Sequence, residues 1–141
     1  MSQKKRALFL CTGNSCRSQI AEGFLRHMAG DRFEVFSAGV KPTQVNPLAI
    51  KVMAEAGVDI SKHRSKSAIE FIGQKFDYVI TVCDNAKQTC PVFPGKYEKI
   101  HWSLEDPAEA TGIEEEKLVV FRKTRDKIKG NIIVFLKSNE R

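Results

Sequence analysis

The chain has no long apolar run. Its N-terminal stretch from Ala7 to Leu10 is too short for the core of a secretory leader. No window approaches the roughly 20 apolar residues that span a bilayer. A cytoplasmic protein without membrane contact is therefore expected. Internal repeats, low-complexity tracts and linkers are also missing, and 141 residues suit one domain over 1–141. There is no basic arm with interleaved aromatics. The longest basic run near the N-terminus is Lys4-Lys5-Arg6, so nucleic acid is not an expected partner. Cysteine is sparse, at four residues. In a reducing compartment such thiols read as catalytic or metal-binding rather than structural. The spacings from Cys11 to Cys16 and from Cys83 to Cys90 match zinc knuckles poorly, so neither a metal nor another cofactor is expected.

What is present is an alternation of short apolar runs and helical patterns. Arg6 to Leu10 has the length of a buried strand, and Arg32 to Ser37, Asp77 to Val82 and Lys99 to Trp102 read as three more. Ser18 to Met28 carries Ile20, Ala21, Phe24, Leu25 and Met28 at helical spacing, with Gly30 as a stop. Asn46-Pro47 is a helix start, and Leu48, Ala49, Val52, Met53 and Ala56 form the buried stripe behind it. Ser67 to Ile72 suggests a short helix. Glu114 to about Lys137 suggests a long one, with Gly130 as a point where it can bend. Strands separated by helices imply parallel pairing with right-handed crossovers. The expected fold is α/β, a three-layer sandwich around a four-stranded parallel sheet in the flavodoxin-like order 2-1-3-4. Ligands of such sheets bind beyond the carboxyl ends of the strands, at the switch point.

The loop after the first strand is Cys11-Thr12-Gly13-Asn14-Ser15-Cys16-Arg17-Ser18. Its N–H groups can converge as a nest for an anion, and the following helix adds the positive end of its dipole. Arg17 offers a planar fork that matches a tetrahedral oxyanion. The net charge of +6 suits an anionic substrate. No Gly-Lys-Ser/Thr closes the loop, which excludes a nucleotide P-loop. The same field is expected to favour the thiolate of Cys11, with Ser18 donating to the sulfur. Thr12, Gly13, Asn14, Ser15, Cys16, Arg17 and Ser18 are thus candidate substrate-binding residues, and Cys11 is the candidate nucleophile. Cys16 has no role assigned beyond the loop itself.

The stretch Cys11 to Gly23, together with Ser37-Ala38-Gly39, His101-Trp102 and Asp106-Pro107, resembles the thioredoxin-coupled arsenate reductases of the low-molecular-weight protein tyrosine phosphatase superfamily. The loop alone serves either chemistry, since both begin with a thiolate attacking a tetrahedral oxyanion. Two further thiols separate them. Cys83 follows the third strand as Cys11 follows the first, and in the proposed order these strands are neighbours. Parallel neighbours lie about 4.8 Å apart, and a disulfide needs Cα atoms within about 7 Å. Cys90 lies seven residues beyond Cys83. If the segment from 84 to 89 is helical, the two are roughly 10.5 Å apart, and a bond between them requires that segment to rearrange.

The resemblance then implies a relay. Cys11 attacks arsenate, Cys83 attacks Cys11 and releases arsenite, and Cys90 takes over the disulfide, which thioredoxin reduces. Phosphate or sulfate would compete for the cradle. Asp106 would be the general acid, with Cys11, Arg17, Cys83 and Cys90 as the other catalytic residues. A monomer is expected. The alternative is phosphatase activity, against which Ala108 stands where many phosphatases of this fold have an aromatic. Some of these reductases hold a potassium ion behind the loop on residues matching Asn14, Glu22 and Ser37. Here Ser61-Lys62-His63-Arg64-Ser65-Lys66 replaces the expected ligands with basic residues. The expectation is that no potassium binds, and that Lys66 or Arg64 supplies the charge.

Overall fold

The computed structural model describes residues 4–139. Four parallel strands, β1 (Lys5–Cys11), β2 (Phe33–Gly39), β3 (Tyr78–Thr81) and β4 (Glu98–His101), form one sheet in the order β2-β1-β3-β4. The expected architecture and strand order are therefore observed. The main departure is at the strand ends. β1 runs through Cys11, so the candidate nucleophile is the last residue of its strand rather than the first of the loop. β3 stops at Thr81, two residues short of Cys83. The register pairs Leu10 with Thr81, so Cys83 projects past Cys11 and lies beside Thr12.

The helices are α1 (Arg17–Ala29), α2 (Pro47–Glu55), α3 (Asp84–Thr89) and α4 (Glu114–Ser138). α1, α2 and α4 pack on one another over one face of the sheet. Phe33 of β2 meets Phe135 of α4 there, with ring centroids 5.6 Å apart. On the other face Phe36 packs edge-on against Phe71 and Phe76, and Phe76 meets Phe93 at 5.3 Å. Such pairs add stabilisation beyond the area they bury. The guanidinium of Arg6 lies over Phe36 and Phe76 at 4.7 and 5.0 Å, closing this layer at the start of β1.

Local chemistry sets the helix ends. Asn46 accepts from the Leu48 amide at 2.8 Å with Pro47 behind it, the expected start of α2. Ser67 caps a 3-10 turn over Ala68–Phe71 in the same way, shorter than the sequence pattern suggested. α4 is one continuous helix of 25 residues. Gly130 does not interrupt it, and the buried stripe of Leu118, Phe121, Ile128, Ile132 and Phe135 continues on both sides. None of the helices is long and apolar enough to cross a membrane, among the described residues.

Gly39, at the end of β2, touches the loop after β1. A Cβ there would lie 2.5 Å from the Thr12 carbonyl oxygen and 2.8 Å from the Asn14 amide nitrogen. Backbone atoms cannot yield as a side chain can. Gly39→Ala should cost about 1–3 kcal/mol, read as a lower urea midpoint, and should weaken oxyanion binding with it.

Candidate active site

The loop from Cys11 to Arg17 is shaped from outside. Its carbonyls are bonded in turn to the chain around it. Cys11 O accepts from Val40 N at 3.1 Å, Thr12 O from Lys41 N at 2.8 Å, Gly13 O from Thr43 N at 3.0 Å and Ser15 O from Asn46 N at 2.9 Å. The Ser65 hydroxyl adds a bond to Gly13 O at 2.9 Å. With the carbonyls turned outward, the amides of the same peptides face the concave side, which is the arrangement an anion needs. The helix beyond strengthens it. Cys16 precedes α1 without a side-chain cap, and no acidic residue stands in the first turn. The first-turn amides of α1 thus point at the same cleft.

Asn14 fixes the turn. It has φ of 50°, a conformation that asparagine tolerates better than most residues. Its side chain is fully buried. Nδ2 donates to Ser18 Oγ at 2.8 Å and to Ser37 Oγ at 2.9 Å. Oδ1 accepts from Gln19 Nε2 at 2.9 Å and from Lys66 N at 2.8 Å. Because Nδ2 occupies the Ser18 oxygen as a donor, the Ser18 hydroxyl is left to donate to Cys11 Sγ, 2.7 Å away. Asn14 N donates to the same sulfur at 3.1 Å.

Two thiols of the loop are buried, with different surroundings. Burial is the largest influence on Cys11 and raises its thiol above the ordinary value, while Ser18, Arg17 and the Asn14 amide pull it down. The net direction differs from the expected favouring of the thiolate. Arg17 spends its guanidinium elsewhere, donating to Leu104 O at 3.0 Å and lying 3.6 Å from Asp106 Oδ2. Burial pushes Cys16 up to about 12, which leaves it unreactive at neutral pH.

The cleft has a volume of about 340 Å³ and is lined by Cys11, Thr12, Gly13, Ser15, Cys16, Arg17, Lys41, Thr43 and Asp106. Asp106 caps the turn that follows by accepting from Ala108 N at 3.0 Å, which holds its carboxylate at the rim. Lys41 and Thr43 are additions that the sequence did not suggest. They enter only because their segment is bonded to the loop.

Cys83 is outside the lining of this cleft but touches one of its walls, its Sγ 3.3 Å from Thr12 Oγ1. It is also the residue before α3, where its sulfur accepts from Ala86 N at 3.3 Å. Cys90 stands at the far end of α3, half-buried, with its thiol raised by burial and pulled back by Lys99. It lines a separate cavity of about 270 Å³ with Val79, Thr81, Lys87, Lys99, Ile100 and His101. The structure thus gathers Cys11, Arg17, Asp106 and Cys83 around the loop and sets Cys90 one helix away. No group of three or more His, Cys, Asp or Glu side chains is placed to hold a metal ion, among the described residues.

A model of the low molecular weight phosphotyrosine protein phosphatases matches residues 6–141. The chain belongs to that family. An arsenate reductase of Halalkalibacterium halodurans is 46% identical over 137 residues, covering 97% of this chain and 99% of the relative. A solved arsenate reductase in its phosphate-binding state superposes with a TM-score of 0.77 at 33% identity, covering 95% of this chain and 98% of that one. A thioredoxin-dependent arsenate reductase of Corynebacterium glutamicum gives 0.72 at 34% identity, covering 97% of this chain and 62% of that longer one.

Behind the loop of this phosphatase-family member, the residues matching a potassium site do not fit the ion. The Ser37 hydroxyl donates to Glu22 Oε1. Arg26 pairs with Glu22 Oε2 at 2.6 Å, and Lys66 Nζ lies 3.8 Å from Oε1 while donating to Arg64 O at 2.9 Å. The acceptors a cation would need already have donors. Arg64 turns outward to Glu70, so Lys66 rather than Arg64 faces Glu22. His63 links to this cluster through Gln19 Oε1 at 2.9 Å.

Two measurements follow from this geometry. The Ser18 hydrogen bond lowers the Cys11 thiol, so Ser18→Ala raises it. The pH profile of Cys11 alkylation by iodoacetamide should move to higher pH in that variant. An unchanged profile would mean that the hydroxyl does not donate to the sulfur. Turnover should be the same in potassium and sodium chloride at equal ionic strength, because Lys66 carries the charge. A rise specific to potassium would contradict this.

Proposed function

We propose that the chain reduces arsenate to arsenite, using Cys11, Cys83 and Cys90 in sequence and a thioredoxin-type dithiol protein as reductant. The observation that carries this reading is the position of Cys83, with its sulfur against the Thr12 hydroxyl at the mouth of an oxyanion loop. Hydrolysis of a phosphoester has no need of a second thiol there. The arsenate reductases among the relatives support the same choice.

The Cys11 thiolate attacks arsenate in the cradle of loop amides and Arg17, and water leaves with a proton from Asp106. Cys83 attacks the Cys11 sulfur, the sulfur–arsenic bond breaks, and its electron pair reduces arsenic(V) to arsenic(III). Arsenite departs and a Cys11–Cys83 disulfide remains. Cys90 then attacks the Cys83 sulfur and Cys11 leaves as thiolate. Six residues of helix separate the two thiols, so α3 must unwind, a span of about 10 Å closing to disulfide distance. Unwinding α3 carries the disulfide toward solvent, where thiol–disulfide exchange with thioredoxin completes the cycle. Phosphate and sulfate bind the same cradle as competitors, since thiols do not reduce them.

Aryl phosphate hydrolysis is the second reading, favoured by the pairing of Cys11 with Arg17 and Asp106 in one cleft. That cleft has no aromatic residue in its lining, among the described residues, so nothing there stacks on a tyrosyl ring. We assign it a slow side activity.

Each of Cys11→Ser, Cys83→Ser and Cys90→Ser should abolish multiple turnover in a coupled assay with thioredoxin, thioredoxin reductase and NADPH. Only Cys11→Ser should also remove the slow hydrolysis of an aryl phosphate. Parent-like arsenate turnover by Cys90→Ser, with thioredoxin as sole reductant, would refute the three-thiol scheme.

A further inference from the structure

We infer that His101 is a positioning residue for the second thiol: it pins the first residue of α3 and thereby keeps Cys83 aimed at the loop. The inference rests on the three-thiol reading above.

His101 ends β4 and pairs in register with Thr81, the last residue of β3. Side chains paired across parallel strands share a face, and here the imidazole lies against the threonine hydroxyl, Nδ1 to Oγ1 at 2.7 Å. Its other nitrogen, Nε2, is 3.0 Å from Asp84 Oδ1. A carboxylate can only accept, so Nε2 carries the proton. In the neutral ring Nδ1 then accepts from the Thr81 hydroxyl. One ring thus ties the ends of two strands to the first residue of the short helix.

What hangs on that residue is the geometry of Cys83. The thiol is the N-cap of α3 and accepts the Ala86 amide at 3.3 Å, and Lys87 N bonds to the Cys83 carbonyl at 3.1 Å. These contacts exist only while the first turn is helical. A helix of six residues has almost no stability of its own. The far end of α3 has the opposite character. Cys90 borders the 270 Å³ cavity, beside His101 and Thr81, and so has space to move into. α3 is therefore held at its Cys83 end by these contacts, while its Cys90 end is half-buried and borders open space. In the relay Cys83 stays at the loop until it has bonded Cys11, and Cys90 travels to it; only the finished Cys83–Cys90 disulfide moves toward solvent. Asp84 is largely solvent-exposed and the ring is not, so the link is of moderate strength and can give way when the segment unwinds.

The test is a single turnover in a Cys90→Ser parent, where reaction stops at the Cys11–Cys83 disulfide. Arsenite release is followed by quenched flow, and the alkylation rate of Cys11 reports the integrity of the loop. His101→Ala should slow arsenite release about fivefold, the upper range for an exposed pair, and leave Cys11 alkylation unchanged. His101→Gln, which keeps a donor toward Asp84, should run close to the parent. Asp84→Ala should reproduce the slowing, and the double variant should be no slower than either single one. Release at the parent rate in His101→Ala would overturn the inference alone. Equal slowing in His101→Ala and His101→Gln, with altered Cys11 alkylation, would also overturn it, as a general structural effect. No arsenite from the parent would overturn the three-thiol reading and this inference together.

Discussion

The buried amide of Asn14 is the constraint on which the site depends. It makes four hydrogen bonds, to Ser18, Ser37, Gln19 and the Lys66 amide. These partners come from the loop's own helix, from β2 and from the segment after α2. A buried polar group left without a partner costs about 1–3 kcal/mol, so the loop cannot relax without breaking several contacts at once. The same side chain decides which way the Ser18 hydroxyl points, and so what Cys11 receives. Preorganisation of this kind lets a loop present its amides to an anion without rearranging during reaction.

Burial and reactivity pull against each other here. Desolvation raises the Cys11 thiol, and the donors around it partly compensate. Cys16 has less help, sits beside the Asp106 charge and remains protonated. Burial is the largest influence on both cysteines of the loop and raises both, and hydrogen-bonding neighbours oppose it at each. Arg17 connects the loop to Asp106, since its guanidinium lies between Leu104 O and the Asp106 carboxylate. Behind the loop, Glu22 is neutralised by Arg26 and Lys66. The chain itself supplies this positive charge, although burial pulls the Lys66 ammonium toward its neutral form.

In the proposed relay α3 meets two opposed demands. It holds Cys83 close to the loop and also surrenders its own structure so that Cys90 can reach Cys83. Its brevity serves the second demand, because few hydrogen bonds are lost. The contacts at its first turn, with His101 on Asp84 and Ala86 on Cys83, serve the first. A longer helix with a large buried face would meet only one of them.

Much of this was legible in the sequence. The alternation of apolar runs and helical stripes fixed the order of elements, since parallel strands need helical crossovers and the rules of handedness leave few topologies. The Cys11-to-Arg17 loop between a strand and a helix pointed to an oxyanion cradle by chemistry alone. The two distant thiols were found because strand order is enough to make Cys83 a neighbour of the loop. Strand ends were less visible, since β1 continues through Cys11 and β3 stops at Thr81, which shifts Cys83 from Cys11 toward Thr12. Tertiary structure decided the rest. Lys41, Thr43 and Ser65 join the site through bonds to loop carbonyls, and backbone bonding leaves no mark on residue type. The balance at Cys11 depends on its burial and on the donors around it, and the choice of Lys66 over Arg64 on which side chain turns inward. The place of the Cys11 thiol at a strand-to-helix loop was therefore set by the sequence. Its proton affinity and its partners were set by packing, because both depend on groups far away along the chain.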